Sequence, residues 1–152
     1  MRGKFDVAIC LECIEHIMND QKLMVDIGAC LKPGGRLLLT TPNIEFRPMN
    51  RDDCHISLVE DGGHVRRGYG PDDLKRIAAA AGLEVVEIGY CSGLLSQKLT
   101  GFLRTVSKHT ASLFGWVLIL PLRWIPPLLD GIATRTVRWP GYSITLVARK
   151  PA

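Results

Sequence analysis

Glu12, Glu15 and His16 directly follow a short apolar run, Phe5-Asp6-Val7-Ala8-Ile9-Cys10-Leu11. Carboxylates beside an imidazole can take up and release protons near neutral pH, because an unperturbed histidine titrates near pH 6.5. A second set, His55, His64, Arg66 and Arg67, lies further along in a polar stretch. Of these, His64 and Arg66 suit steering of an anionic or phenolic molecule, and His55 has less to recommend it. Each set also has a plainer account. Glu15 and His16 could start a solvated helix-capping turn, and His64-Val65-Arg66-Arg67 could be a solvated loop.

Cys10-Leu11-Glu12-Cys13 together with His16 raises two further chemistries. A closed zinc site needs four ligands, and the remaining Cys54, His55 and His64 follow no finger spacing. A redox Cys-x-x-Cys opens a helix, whereas Cys10 falls within a strand, where it packs as a small hydrophobe. No metal site is expected from these spacings.

The elements that must hold these residues are legible from periodicity. Residues 5–11 have apolar side chains on both faces, the pattern of a strand buried in a parallel sheet. Asn19 or Asp20 can cap a helix whose apolar residues are Leu23, Met24, Ile27, Cys30 and Leu31. Lys32-Pro33-Gly34-Gly35 ends it, with Lys32 at the negative end of the dipole. Residues 36–41 form a second buried strand, stopped by Pro42-Asn43, and residues 44–70 are a long irregular connection of the kind that carries function. Pro71, followed by Asp72 and Asp73, opens a helix with Leu74, Ile77, Ala78 and Ala81 on its apolar face, and Gly82 closes it. Residues 83–90 make a third strand, residues 94 to 132 are helix-like, and residues 142–149 alternate as a last strand. Strand, helix, strand, loop, helix, strand is the order of a doubly wound α/β fold.

In this order and spacing, FDVAICLECIEHI, LKPGGRLLLTTPN and the later GHVRRGYGPDDLKRIAAAAGLEVVEI resemble the class I S-adenosylmethionine-dependent methyltransferases. The similarity is to their "type 11" group, which includes quinone-biosynthesis enzymes. It covers residues 5–90 and, less closely, 142–149. The resemblance implies a partial Rossmann-like methyltransferase sheet, strands four to seven with the last antiparallel, and a helical insertion at 91–141 before the final strand. It implies that Leu11 and Glu12 adjoin the methionine part of the cofactor, while Glu15 and His16 line the substrate side. Methyl transfer is an in-line displacement that asks for positioning and, for some acceptors, a base. His16 is then the base candidate with Glu15 beside it, and His64 and Arg66 contact substrate.

The family's glycine-rich cofactor loop and its ribose-binding acid have no counterpart here, and Gly68-Tyr69-Gly70 reads as a turn. The expectation is therefore a single domain truncated at its N-terminus, residues 1–152, with half of the S-adenosylmethionine site missing. A non-catalytic or partner-dependent half and a membrane-surface module remain as alternatives. The unpaired edge at residues 5–11 is expected to favour self-association.

The chain has 152 residues, 47% of them hydrophobic, which excludes a disordered or charge-dominated protein. Five cysteines, an odd number, and the absence of a signal-peptide pattern argue for a cytoplasmic protein. Residues 1–90 hold 11 Lys+Arg and 14 Asp+Glu, whereas residues 91–152 hold 8 Lys+Arg and Asp130 as the sole acid. The run Ala111–Leu122 carries no charge but is too short to span a bilayer and is followed by Arg123, Pro126 and Pro127. Trp116, Trp124 and Trp139 among basic residues suggest a cap over a lipophilic acceptor, with peripheral membrane contact through 94–139. Nucleic acid is not expected as a partner. Thr41-Pro42-Asn43 matches the Asn-Pro-Pro-Tyr motif of amino-methyltransferases only superficially, and no nucleic-acid module is present.

Overall fold

The structure is a computed structural model and describes residues 2–48, 55–109, 117 and 124–152. Cys54, Trp116 and Arg123, singled out above, lie outside the described residues. Four strands form one sheet: β1 (Phe5–Leu11), β2 (Leu31–Pro42), β3 (Glu84–Cys91) and β4 (Ser143–Arg149), in the spatial order β1-β2-β4-β3. β1 and β2 are parallel, and β4 runs antiparallel between β2 and β3. Helices α1 (Asp20–Cys30) and α2 (Pro71–Ala80) connect the strands, and α3 (Leu94–His109) and α4 (Ile125–Val137) lie between β3 and β4. The mixed α/β expectation, with an antiparallel last strand after a helical insertion, holds.

The helix ends follow their sequence signals with one exchange of partners. Asn19 Oδ1 accepts from the Lys22 N–H at 2.9 Å and caps α1. Asp73 does the same for Gly70 N–H at the start of α2, whose first residue is Pro71. The carbonyls at the C-terminal end of α1 are met by Lys150, not by Lys32. Lys150 Nζ donates to the Gly28 and Leu31 carbonyls at 2.8 Å each, and Lys32 pairs with Asp6 instead. Lys32 was the expected cation because it is the nearest in sequence, but β4 delivers a lysine from the far end of the chain.

β2 also begins earlier than the expected residue 36. Leu31 already pairs with Phe5, residues 32–35 bulge out, and regular pairing resumes at Val7–Arg36. Gly35 is required there, since a Cβ would lie 2.9 Å from the Lys32 carbonyl oxygen and 3.1 Å from that of Phe5.

Leu37 and Leu39 of β2, Ile144, Leu146 and Ala148 of β4, Met24 of α1 and Leu74 and Ile77 of α2 form the core on one face of the sheet. The expectation that β1 is buried on both faces fails. Phe5, Val7, Ile9 and Leu11 are 45–65% exposed, and Leu38 beside Ile9 is exposed as well. Both α1 and α2 pack against the other face, so among the described residues no helix is seen to cover this one. No described helix is long and apolar enough to cross a membrane.

Candidate functional site

β1 and β2 point their carboxyl ends to the same edge of the sheet, so the residues that follow them meet there. At the end of β1, Glu12 takes a positive φ of 46° and its N–H donates to the Thr40 carbonyl at 2.9 Å. This sharp turn leads into a single 3-10 turn, Ile14–His16, anchored by fully buried Ile14. Leu11 and Glu12 remain exposed at the edge.

Glu15 is fully buried, so the solvated-turn account does not apply to it. Its Oε2 accepts from the Thr41 hydroxyl at 3.0 Å, while its Oε1 has no partner. Burial, with the nearby Glu12 charge, pushes the Glu15 carboxyl above its ordinary range, and its own backbone N–H, the Thr41 hydrogen bond and His16 offset this only in part. His16 is half-buried and its Nδ1 lies 2.9 Å from the Gly63 carbonyl, to which it donates. Its Nε2 is 3.8 Å from Glu15 Oε1, and its ring meets the edge of His64 with centroids 4.7 Å apart.

The loop that brings His64 is built by local bonds. Asp61 accepts from Gly63 N–H and the Ser57 hydroxyl, Ser57 N–H reaches the His64 carbonyl at 2.7 Å, and Val65 N–H donates to the Glu15 carbonyl at 2.9 Å. His64 is thus brought to the Glu15–His16 turn, whereas His55 lies exposed before the loop and is not part of the cluster. Arg66 does not offer its guanidinium to a ligand: it donates to Asp20, to Tyr69 Oη at 2.7 Å and to the Ile17 and Met18 carbonyls at 2.7 and 2.9 Å. It ties the loop to the start of α1. Gly68-Tyr69-Gly70 is not the expected turn but a short extended stretch, in which Tyr69 forms a parallel bridge with Asn43. Tyr69 N–H donates to the Pro42 carbonyl at 2.9 Å, and a Cβ on Gly68 would lie 2.2 Å from that same oxygen. Burial pushes the Cys10 thiol up to about 12, which suits packing rather than redox or metal chemistry.

A cavity of about 570 Å³ opens at the same sheet edge, between Asn43 after β2, Cys91 and Ser92 at the end of β3, Asp130 and Thr134 of α4, and Trp139 just beyond it. Trp139 is held by Gln97 Oε1 on its Nε1 at 2.7 Å, with the Arg47 guanidinium 4.8 Å over its ring and Lys98 Nζ 5.6 Å over it. Asp130 is buried and wholly structural. It accepts from the N–H groups of Gly93, Leu95 and Ser96 and from the hydroxyls of Ser96 and Thr134. Burial alone would raise its pKa, but these bonds, that of Ser96 foremost, hold it below the usual carboxylate range. Sequence reasoning missed Thr41 as the partner of Glu15, and Gln97 and Arg47 as the partners of Trp139. No spacing rule connects residues so far apart. Asp130 did carry a signal, as the sole acid of a basic segment.

A family model described as a methyltransferase domain matches residues 1–88. A ubiquinone biosynthesis O-methyltransferase of Coxiella burnetii is 28% identical over 90 residues, 56% of this chain and 38% of that protein. One of Idiomarina loihiensis is 30% identical over 105 residues, 66% of this chain and 42% of that protein. The chain spans about two fifths of the length of these curated relatives. Among solved structures, the [4+2]-cyclase SpnF superposes with a TM-score of 0.58 at 18% identity, covering 99% of this chain and 51% of that one. Haemonchus contortus phosphoethanolamine N-methyltransferase 2, in complex with S-adenosyl-L-methionine, gives 0.55 at 18%, covering 100% of this chain and 34% of that one. Likeness at this identity speaks for the fold, and a cyclase among the neighbours shows that the fold alone does not name the reaction.

Proposed function

The chain belongs to the methyltransferase-domain family, of class I, and from that premise we propose that it forms the acceptor side of an S-adenosylmethionine-dependent enzyme. The acceptor is a small or lipophilic molecule methylated on oxygen, as the names of the relatives suggest. The observation that carries this reading is the Glu15–His16–His64 cluster at the carboxyl ends of β1 and β2, where open α/β sheets bind their ligands.

The cofactor supplies an activated methyl group, and the protein's part is to place an acceptor atom in line with it and to handle the acceptor's proton. Exposed Leu11 offers an apolar wall and exposed Glu12 a carboxylate for the methionine end. Nothing among the described residues fits the ribose or the glycine loop, since Gly68-Tyr69-Gly70 is spent on Pro42. The remaining part of the cofactor site is therefore proposed to come from further polypeptide beside β1, whose edge and apolar face stand open. His16, turned by the Gly63 carbonyl, takes the acceptor's proton, and buried Glu15 stabilises the cation that forms. His64 lines the acceptor side, and Arg66 acts as a positioning residue through its bonds to the start of α1. The cavity beside Trp139 suits the body of a lipophilic acceptor.

The test has two arms. Calorimetry on the 152-residue chain by itself should detect no S-adenosylmethionine binding, and a sub-millimolar isotherm would refute the divided cofactor site. Mass spectrometry of a phenolic acceptor incubated with the complete enzyme should show a mass gain of one methyl. His16→Asn should lower the rate by about 10²–10⁴-fold, the usual worth of a positioned base.

A further inference from the structure

By residue type Arg66 suits an anionic molecule, but its bonds to Asp20, Tyr69 and two carbonyls leave its guanidinium nothing to offer. Uncommitted cations gather instead around Trp139. Arg47 comes from the segment after β2, Lys98 from α3, and Arg135 and Arg138 from the end of α4. Arg47 and Lys98 stand 4.8 and 5.6 Å from the centre of the Trp139 ring. Arg135 lines the cavity already described, and a shallower recess sharing Trp139 with that cavity is lined by Arg47, Arg135 and Arg138. All four cations are exposed, and among the described residues neither Arg135 nor Arg138 has a hydrogen-bond or ion-pair partner for its guanidinium. Among the described residues Glu45 is the one acid that lines the recess. Asp130, deeper in, is saturated by its five internal bonds.

A cation in the last turn of a helix is ordinary, because it meets the negative end of the dipole. That accounts for Arg135 and leaves the arrival of Arg47 and Lys98 from two other segments unexplained. Like charges drawn together repel, and the Trp139 face offsets only the two that stack on it. Four cations and one carboxylate around a half-buried indole make a surface complementary to an oxyanion on an apolar body.

We propose that the acceptor is an amphiphilic anion, whose carboxylate or phosphate is held by Arg135 and Arg138 while its apolar body lies along Trp139 into the cavity. Arg47 and Lys98 add charge beside the indole. A guanidinium presents paired N–H donors that match two oxygens of either oxyanion. The proposal rests on the methyl-transfer reading for the bound molecule's role as acceptor, whereas the binding itself needs no reaction. Arg135 and Arg138 then determine specificity. They fix one end of the acceptor while the Glu15–His16 turn meets the reacting oxygen, and two anchored points orient it for in-line transfer.

Calorimetry on the full chain tests this without turnover, with 3-(4-hydroxyphenyl)propanoate and its uncharged methyl ester as probes. The acid should bind about tenfold more tightly than the ester, and the gap should narrow as salt is added. Arg135→Gln combined with Arg138→Gln should erase the difference while circular dichroism stays that of the parent. Glu45→Gln should act in the opposite direction and tighten the acid by about two- to threefold. With 2-phenylethyl phosphate the same dependence on the two arginines is expected, and the tighter probe identifies the oxyanion. Equal affinity for acid and ester, or a difference that survives in the double variant, overturns the proposal. Co-sedimentation with vesicles of phosphatidylglycerol and phosphatidylcholine separates a soluble acceptor from a lipid headgroup. Vesicle binding that needs the two arginines, with no acid–ester difference in the parent, also overturns it. Arginine-dependent binding of the acid without methylation of any phenol by the complete enzyme spares the recess and sinks the proposed reaction. Methylation of acid and ester with equal kcat/KM, unaltered in the double variant, does the reverse.

Discussion

Two buried carboxylates, Glu15 in the sheet-bearing part and Asp130 in the helical part, have opposite surroundings. Asp130 collects five hydrogen bonds, three from the backbone at the start of α3 and two from hydroxyls, and stays ionised below its ordinary range. Glu15 has one hydroxyl partner and an oxygen with none, and burial raises its pKa. A saturated carboxylate is a structural joint: it stitches α3 to α4 through Gly93, where any Cβ would lie 2.0 Å from Thr134 Oγ1. A half-satisfied one costs stability, and proteins keep such groups where chemistry uses them. The comparison also separates how the regions are held. The sheet rests on an apolar core, and the helical pair on a polar knot supplemented by the Gln97–Trp139 bond.

Breaking the core should have the largest effect. Leu39 is fully buried, and Leu39→Ala should cost about 3 kcal/mol from lost transfer energy and the cavity left behind. Denaturant melts should show the loss. Hydrogen exchange should quicken in the helical pair as well, because α3 and α4 hang from β3 and β4.

Asp130→Ala should cost about 2 kcal/mol, since it strips a charged acceptor from several buried N–H groups. Here exchange should quicken in α3 while β2 stays protected. Retained protection in α3 would break the distinction between the regions. The same carboxylate makes a pH prediction. Its folded pKa lies below the ordinary 3.8, so its contribution is fully present above about pH 4 and is lost as the pH falls through the folded value. Exchange in the helical pair should therefore rise in acid before exchange in the sheet does.

Glu15→Gln should move stability the other way, up by about 1 kcal/mol or a few degrees in Tm. It removes a buried charge, keeps an acceptor for Thr41 and offers a donor to His16 Nε2. A lower Tm would mean that the charge is already compensated within the fold. The smallest effect on stability is expected from Ile9→Lys on the open face of β1. It should leave Tm nearly unchanged but reduce any self-association seen by sedimentation at high concentration, since charge on an open edge discourages pairing.

Much of the fold was open to reading because its signals are local. The period of two in residues 142–149, the Asn19 cap, the Pro71 start and the breakers around Gly82 depend on neighbours within a turn or a strand, and the elements lie within a residue or two of those marks. The outliers are non-local. β2 starts at Leu31 because β1 pairs across a bulge, and the end of α1 is met by Lys150, 122 residues away from Gly28. The site divides in the same way. Glu15 and His16 were visible as adjacent proton-handling types after a strand, and His64 and Arg66 as candidates in a polar loop. Their fates differed: Gly63, 47 residues from His16, carries His64 to the cluster, whereas Arg66 is consumed by Asp20, Tyr69 and the Ile17 and Met18 carbonyls.

By itself, then, the amino-acid order determined the elements, the family motifs and which residue types follow β1, because periodicity, caps and breakers act through bonded neighbours. Only the tertiary structure decided that Glu15 is buried with one oxygen unpaired, that two histidines from separate segments face it, and that the lone acid of the basic region is a joint. Burial and convergence come from contacts between segments far apart in the chain, and no local pattern encodes the distance between them.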